Sequence, residues 1–203
     1  PAPFTKADGS VVQVSMMNRP ASRRYAKGDG YEAIEMAYDH GRSSRYAHLY
    51  EDVEMALDNS ELAMLVILPT AGTFANFESS LTGGKLLDIL AGLETKPVNL
   101  SFPKLRLDVA FGLKEPLKSL GMNQAFSEEA ADFSGMSTTE RLSVANVLHK
   151  TFLEVDESGS EAAAATGVFN VAQSGSAPIE MKVDRPFITA IVDRPTKTLL
   201  FLG

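Results

Sequence analysis

The apolar positions of this chain fall mainly into strand-type runs and alternations: Val11 to Met17, Leu62 to Leu68, Val98 to Leu107, Thr151 to Val155, Phe187 to Val192 and Thr198 to Leu202. Helical spacing predicts short helices over Thr73 to Leu81, Gly84 to Leu93 and Leu113 to Leu120, the last with a start at Asp108 and a stop at Gly121. Strands outnumber helices, and the two do not alternate regularly. That order predicts an α+β fold of mainly antiparallel sheets with short helices, not a doubly wound sheet.

Two segments stand apart from this pattern. Tyr31-Glu-Ala-Ile-Glu-Met-Ala-Tyr-Asp39 is nearly repeated as Tyr50-Glu-Asp-Val-Glu-Met-Ala-Leu-Asp58. Two copies are too few for a solenoid, so a pair of similar strands or a tandem duplication is predicted. From Glu157 to Ala177 the chain is small and polar around the alanines Ala162 to Ala165, which predicts a long loop, and a loop of that length is either functional or disordered. Isolated alanines favour helix, yet they are also small enough to slide between two existing strands without clashing.

Composition narrows the classes further. With 203 residues and 44% apolar content, the chain could bury one ordinary core. The formal net charge is −7, and the basic residues (Arg19, Arg23, Arg24, Arg42, Arg45, Lys104, Arg106) are scattered, so no single footprint for nucleic acid is expected. Cysteine is absent, which excludes disulfides, thiol nucleophiles and cysteine zinc sites. No apolar run approaches the roughly eighteen residues of a membrane helix, and Pro1 to Lys6 lack the basic start and apolar stretch of a secretory signal.

Enzyme chemistry finds little to gather. The histidines are His40, His48 and His149, and there is no Gly-x-Ser-x-Gly elbow, no His-Glu-x-x-His and no phosphate loop. Gly28-Asp-Gly30-Tyr-Glu-Ala33 imitates a dinucleotide fingerprint, but it follows Arg23 to Lys27, a polar stretch that does not read as a strand. His149 precedes the apolar run Thr151 to Val155 and is expected to be a core histidine satisfied by hydrogen bonds. Glu128, Glu129 and Asp132 read as a solvated acidic face. No catalytic residue, metal site or cofactor is expected.

From Pro69 onward the chain resembles the serpin family, most densely between His149 and Phe187. The run His149-Lys-Thr-Phe-Leu-Glu-Val-Asp-Glu157-Ser-Gly159-Ser160-Glu161-Ala162-Ala163-Ala164-Ala165-Thr166 is similar to the strand and hinge that precede a serpin reactive loop. Further matches occur in family order: Leu65-Val-Ile-Leu-Pro69, Phe102-Pro-Lys104-Leu105, Leu120-Gly-Met, Ala125-Phe-Ser127, Ala131-Asp-Phe-Ser-Gly135, Arg185-Pro-Phe187 and Leu200-Phe-Leu-Gly203. Two departures accompany them. Serpins are nearly twice as long, so residues 1–203 are expected to be the C-terminal segment of a single serpin domain whose N-terminal half is absent. The stretch Ala21 to Ser44 is longer than expected between the corresponding strands.

The resemblance implies a suicide-substrate inhibitor of serine proteases: the exposed loop is cleaved, enters the central sheet as a new strand, and traps the acyl-enzyme. Residues 157–177 would be hinge and reactive loop, with Glu157, Gly159, Ser160, Glu161, Ala162, Ala163, Ala164, Ala165 and Thr166 forming the hinge. In an inserted strand Ser160, Ala162, Ala164, Thr166 and Val168 would share one face, with no bulky or charged side chain to block it. The resemblance also places Lys104 opposite Glu157 and gives His149 hydrogen bonds that clamp the strands that must part, so Lys104, Glu157 and His149 would control insertion. Family spacing counted from Glu157 puts the scissile bond at Gln173-Ser174, whereas counting back from Phe187 moves it toward Gly175; the first is favoured. Val171-Ala172-Gln173 suits an elastase-like protease, Phe169 a chymotrypsin-like one as second choice, and the absence of Lys and Arg between Glu161 and Glu180 leaves a trypsin-like pocket no anchor. The implied partners are the protease and the N-terminal half of the domain, with no nucleic acid and no membrane, in an extracellular or secreted setting. The alternative is a non-inhibitory serpin that serves as a binding, carrier or chaperone module; such relatives tend to carry bulky, charged or proline residues in the hinge.

Overall fold

The structure is a computed structural model and describes residues 1–38, 60–156 and 177–203. Two compact units divide the chain, Pro1–Lys104 with Val155–Gly203, and Leu105–Glu154. In the first, β1 (Ala2–Thr5) and β2 (Val11–Val14) form a hairpin. A seven-stranded sheet follows, built from β3 (Met16–Gly28), β4 (Tyr31–Ala37), β5 (Leu62–Pro69), β6 (Glu94–Pro103), β9 (Ile179–Lys182), β10 (Ile188–Asp193) and β11 (Thr198–Leu202) in the order β11-β10-β5-β4-β3-β6-β9. Its pairings are antiparallel except β6 with β9. Helices α1 (Phe74–Ser80) and α2 (Gly83–Ala91) pack on one face. The second unit holds β7 (Leu105–Gly112), α3 (Lys114–Ser119) and β8 (Leu148–Val155), with β7 and β8 paired. The α+β expectation holds.

The core follows from strand alternation. Leu65 and Ile67 of β5, Ala26 and Ala33 of the neighbouring strands, and Ile188, Ala190 and Val192 of β10 point to the helical face. There they meet Phe77 of α1 and Leu86, Ile89 and Leu90 of α2, three residues at the spacing of one helical stripe. Thr82 starts α2 in extended conformation, its hydroxyl accepting from the Lys85 N–H at 3.2 Å. The opposite sheet face is also buried at Ile34, Val66 and Leu68, which explains why β5 is apolar without alternation.

Several boundaries depart from the sequence pattern. The run Val11 to Met17 divides at Ser15, and Val98 to Leu107 divides at Lys104 into β6 and β7. Asp108 lies inside β7 rather than at a helix start, while Gly121, with φ 100°, ends α3 as expected. The polar stretch Arg23 to Lys27 is strand after all, part of the thirteen-residue β3. Pro20 and Pro97, which argue against central strands, sit where the sheet tolerates them: β4 pairs with β3 only from Arg24 onward, and β9 pairs with β6 only from Val98. Most of Ala21 to Ser44 is therefore the β3–β4 hairpin itself, not an addition between strands.

That hairpin also disposes of the dinucleotide fingerprint. Gly28-Asp-Gly30 joins two antiparallel strands, with no helix after it, and Gly30 at φ 78° makes the turn. A Cβ on Gly28 would clash with the Tyr31 ring. Residues Tyr31 to Ala37 of the repeated motif are strand β4; the second copy lies outside the described residues.

One buried ion cluster ties the elements together. Glu35, 5% exposed, receives Arg24 Nη1 at 3.0 Å and Arg194 Nε at 3.0 Å. Arg24 also reaches the carbonyls of Leu90 and Leu93 at the end of α2, and Arg194 the carbonyl of Ser60. Removing one member of a buried pair strands its partner, which costs about 3–5 kcal/mol, whereas apolar replacement of the whole set is often neutral. Glu35→Ala should lower the urea unfolding free energy by about that amount, and Arg24→Met/Glu35→Leu/Arg194→Met together should recover much of it.

Candidate functional site

The segment singled out as hinge and loop begins where β8 ends and finishes just before β9. Glu157, Gly159, Ser160, Glu161, Ala162, Ala163, Ala164, Ala165, Thr166, Phe169, Gln173 and Ser174 lie outside the described residues, as do His40 and His48. What the structure places are the strands at either end.

On the upstream side, contacts along β7 and β8 run in opposite directions: Arg106 lies over the Phe152 ring, Asp108 pairs with Lys150 at 3.2 Å, Phe111 stacks near His149, and Leu113 N–H donates to Val147 O. The two strands are thus antiparallel. One face carries Arg106, Asp108, Lys150 and Phe152; the other carries Leu105, Leu107, Val109 and Phe111 beside His149, Thr151, Leu153 and Val155. Leu153 is buried, yet Val109 and Phe111 are 46% and 48% exposed. Among the described residues β8 pairs with β7 alone, so its other edge offers a row of backbone donors and acceptors.

His149 is not the core histidine expected from sequence. It is exposed, its ring 5.3 Å from that of Phe111 and its Nε2 2.7 Å from the Thr151 hydroxyl. The neighbouring apolar residues misled, because β8 already starts at Leu148 and His149 belongs to the strand. Lys104 occupies the break between β6 and β7, exposed, with its N–H on Ser15 O at 2.9 Å; its expected partner Glu157 lies outside the described residues. Glu128, Glu129 and Asp132 are exposed as predicted. Hydrogen bonds from Ser134, from the side chain and then the backbone, hold the Asp132 carboxyl below its usual range. No group of three or more metal-ligating side chains occurs among the described residues.

On the downstream side the chain is firmly held. Met181 and Val183 are buried, and β9 runs parallel to β6 from Val98↔Ile179 to Ser101↔Lys182. Arg185 Nε donates to Pro69 O at 2.9 Å and its Nη1 pairs with Asp184 at 3.2 Å. Phe187 stacks edge-on against Phe102 and Phe4. The motifs ending at Pro69, beginning at Phe102 and spanning Arg185 to Phe187 thus converge on one point. Sequence reasoning finds each motif but gives none this anchoring role, since the residues are far apart along the chain.

Comparison with known proteins gives one answer. A family model described as Serpin (serine protease inhibitor) matches residues 1–203. An uncharacterized serpin-like protein of Thermococcus kodakarensis is 35% identical over 203 residues, which cover 98% of this chain and 42% of that protein. Iripin-4 of Ixodes ricinus is 40% identical over 151 residues, 74% of this chain and 38% of its own. The native state of the thermophilic serpin Tengpin superposes with a TM-score of 0.76 at 29% identity, covering 100% of this chain and 48% of that one. The chain therefore spans less than half the length of these relatives.

The strand feeding the loop makes a prediction of its own. Leu153→Ala should cost about 2–5 kcal/mol by cavity formation. Lys150→Ala, which breaks an exposed pair, should cost under about 1 kcal/mol. Urea midpoints of the two variants measured side by side would check the contrast.

Proposed function

Because this chain belongs to the serpin family, we propose that it is the loop-bearing C-terminal part of a serine-protease inhibitor that traps its target by loop insertion. The observation that carries this reading is the hinge composition. Gly159-Ser160-Glu161 followed by Ala162 to Ala165 and Thr166 leaves β8 with side chains that a sheet can absorb. Strand addition rewards such a segment with a full ladder of backbone hydrogen bonds, and in serpins cleavage of the loop releases strain stored in the uncleaved fold. Two features of the described residues support it. The edge of β8 away from β7 has no described partner, and the contacts of Arg185 and Phe187 hold the chain after residue 177, as a mechanism in which only the upstream end moves would require.

Residues 1–203 are proposed to be one part of a single serpin domain, completed by an N-terminal half. Val109 and Phe111 on one face of the β7–β8 pair, and Leu148 at 78% and Phe152 at 54% exposure on the other, are apolar surface that this half would cover. Lys104 and Glu157 would hold the point where insertion begins, with His149 acting on β8. The bait bond is proposed at Gln173-Ser174, the target as elastase-like with chymotrypsin-like proteases second, and the setting as extracellular.

The test is covalent trapping by the full-length polypeptide. Incubation with elastase-, chymotrypsin- and trypsin-like proteases should give complexes that survive denaturing gels, chiefly with the first. Ala164→Arg should be cleaved without trapping, because an unpaired guanidinium is not absorbed into a sheet; an undiminished complex yield would sink the insertion mechanism. Mass spectrometry of the C-terminal peptide freed by denaturant should show a new N-terminus at Ser174. Gln173→Arg should then transfer inhibition to trypsin-like proteases, since an acidic pocket gains a charge-assisted bond.

A further inference from the structure

Among the described residues, Arg23 is a cation of the seven-stranded sheet that the fold leaves unanswered. Its Nε is fully buried and has no hydrogen-bond partner among them. Register places it directly opposite Lys96 of β6, and Arg19 lies two positions along the same face of β3 in the alternation. Burial first, and the charge of Arg19 second, push the Arg23 guanidinium down to about 10. The surrounding acids are engaged elsewhere. Glu94 pairs with Lys96 at 3.0 Å, Glu32 accepts from the Tyr25 hydroxyl at 2.7 Å, and Glu35 is on the helical face with Arg24 and Arg194.

We infer that the Arg19–Arg23–Lys96 face of the sheet receives a carboxylate-bearing element of the N-terminal half, with Arg23 as the residue that grips it. A guanidinium whose Nε is buried and unpartnered beside a second cation is costly unless an anion reaches it. The donor geometry suits a carboxylate taken two-pronged. Val98, Leu100 and Tyr25 are buried on the same face, which favours an anion delivered by a packed protein element over one arriving from solvent. The length missing relative to the relatives, more than half of each, supplies the chain for it.

This inference rests on the reading that an N-terminal half completes the domain, and the test separates the two. The 203-residue chain and the N-terminal portion of the same longer polypeptide are expressed together and apart, and their association is measured. If the wild-type halves do not associate, the completion reading fails and the inference with it. If they do, Arg23→Met should weaken association about thirtyfold or more, the loss expected when one partner of a buried charge pair is truncated, and Arg23→Lys should restore part of it. Equal affinity for wild type and Arg23→Met overturns the inference alone. As a folding control, Arg23→Met in the 203-residue chain should leave the urea midpoint unchanged or raised, because an unanswered buried cation is removed; a lowered midpoint means that Arg23 already has its partner within this chain and also overturns it. Inorganic phosphate at millimolar concentration should not stabilise wild type over Arg23→Met. Selective stabilisation would assign the face to a free anion instead.

Discussion

A single carboxylate with its two guanidinium partners sets the geometry of the larger unit. Glu35 stands on β4, Arg24 on β3, and Arg194 at the end of β10, so satisfying one buried charge fixes three strands relative to one another. The same guanidinium of Arg24 reaches the carbonyl of Leu90 in the last turn of α2, where intrahelical donors run out, and that of Leu93 just beyond the helix. Arg194 closes the set onto the carbonyl of Ser60. Hydrophobic burial supplies the driving force for this sheet and already disfavours a register slip, and the buried charge adds a directional constraint. Displacement by a residue would leave that charge without its donors.

That constraint bears on the proposed functional region because β9 and β10 carry the chain away from residues 157–176. Their strands are locked by register and by the Arg185 and Phe187 contacts, so the downstream end has little freedom. The upstream strand β8 is different. Its pairing with β7 holds one edge, and several of its apolar side chains remain open. An anchored strand after residues 157–176 and an open-edged strand before them accord with the proposed change of partners on the upstream side.

Much of this was legible in the sequence where one physical effect dominates. β5 reads correctly because burial on both faces sets its composition, β11 because its run is apolar although exposed, and α1 and α2 because their apolar stripes are periodic. β3 was hidden because Arg19, Pro20, Arg23 and Arg24 give it the look of a solvated loop, although the first proline has no neighbour to donate to on one side and Arg24 has a buried partner. β9 leaves no signal in the sequence because it is a four-residue strand with two charged positions. The apolar run beside His149 suggests burial that its strand face does not provide. The proposed hinge and bait residues rest on family likeness alone, and no local periodicity singles them out. The cluster at Glu35 was beyond reach, since spacing along the chain does not reveal which charges meet.

The position of β10 in the sheet carries a consequence for synthesis. Ile188, Ala190 and Val192 fill the centre of the core, and Ile188 pairs with Ile67 of β5. A ribosome therefore finishes the apolar strand β5 long before it makes the strand that covers it, and at about 5–20 residues per second the wait is roughly ten seconds. During that interval Leu62–Pro69 has β4 on one edge and nothing native on the other. A nascent chain of this order would need chaperone cover most where the finished molecule is most tightly packed.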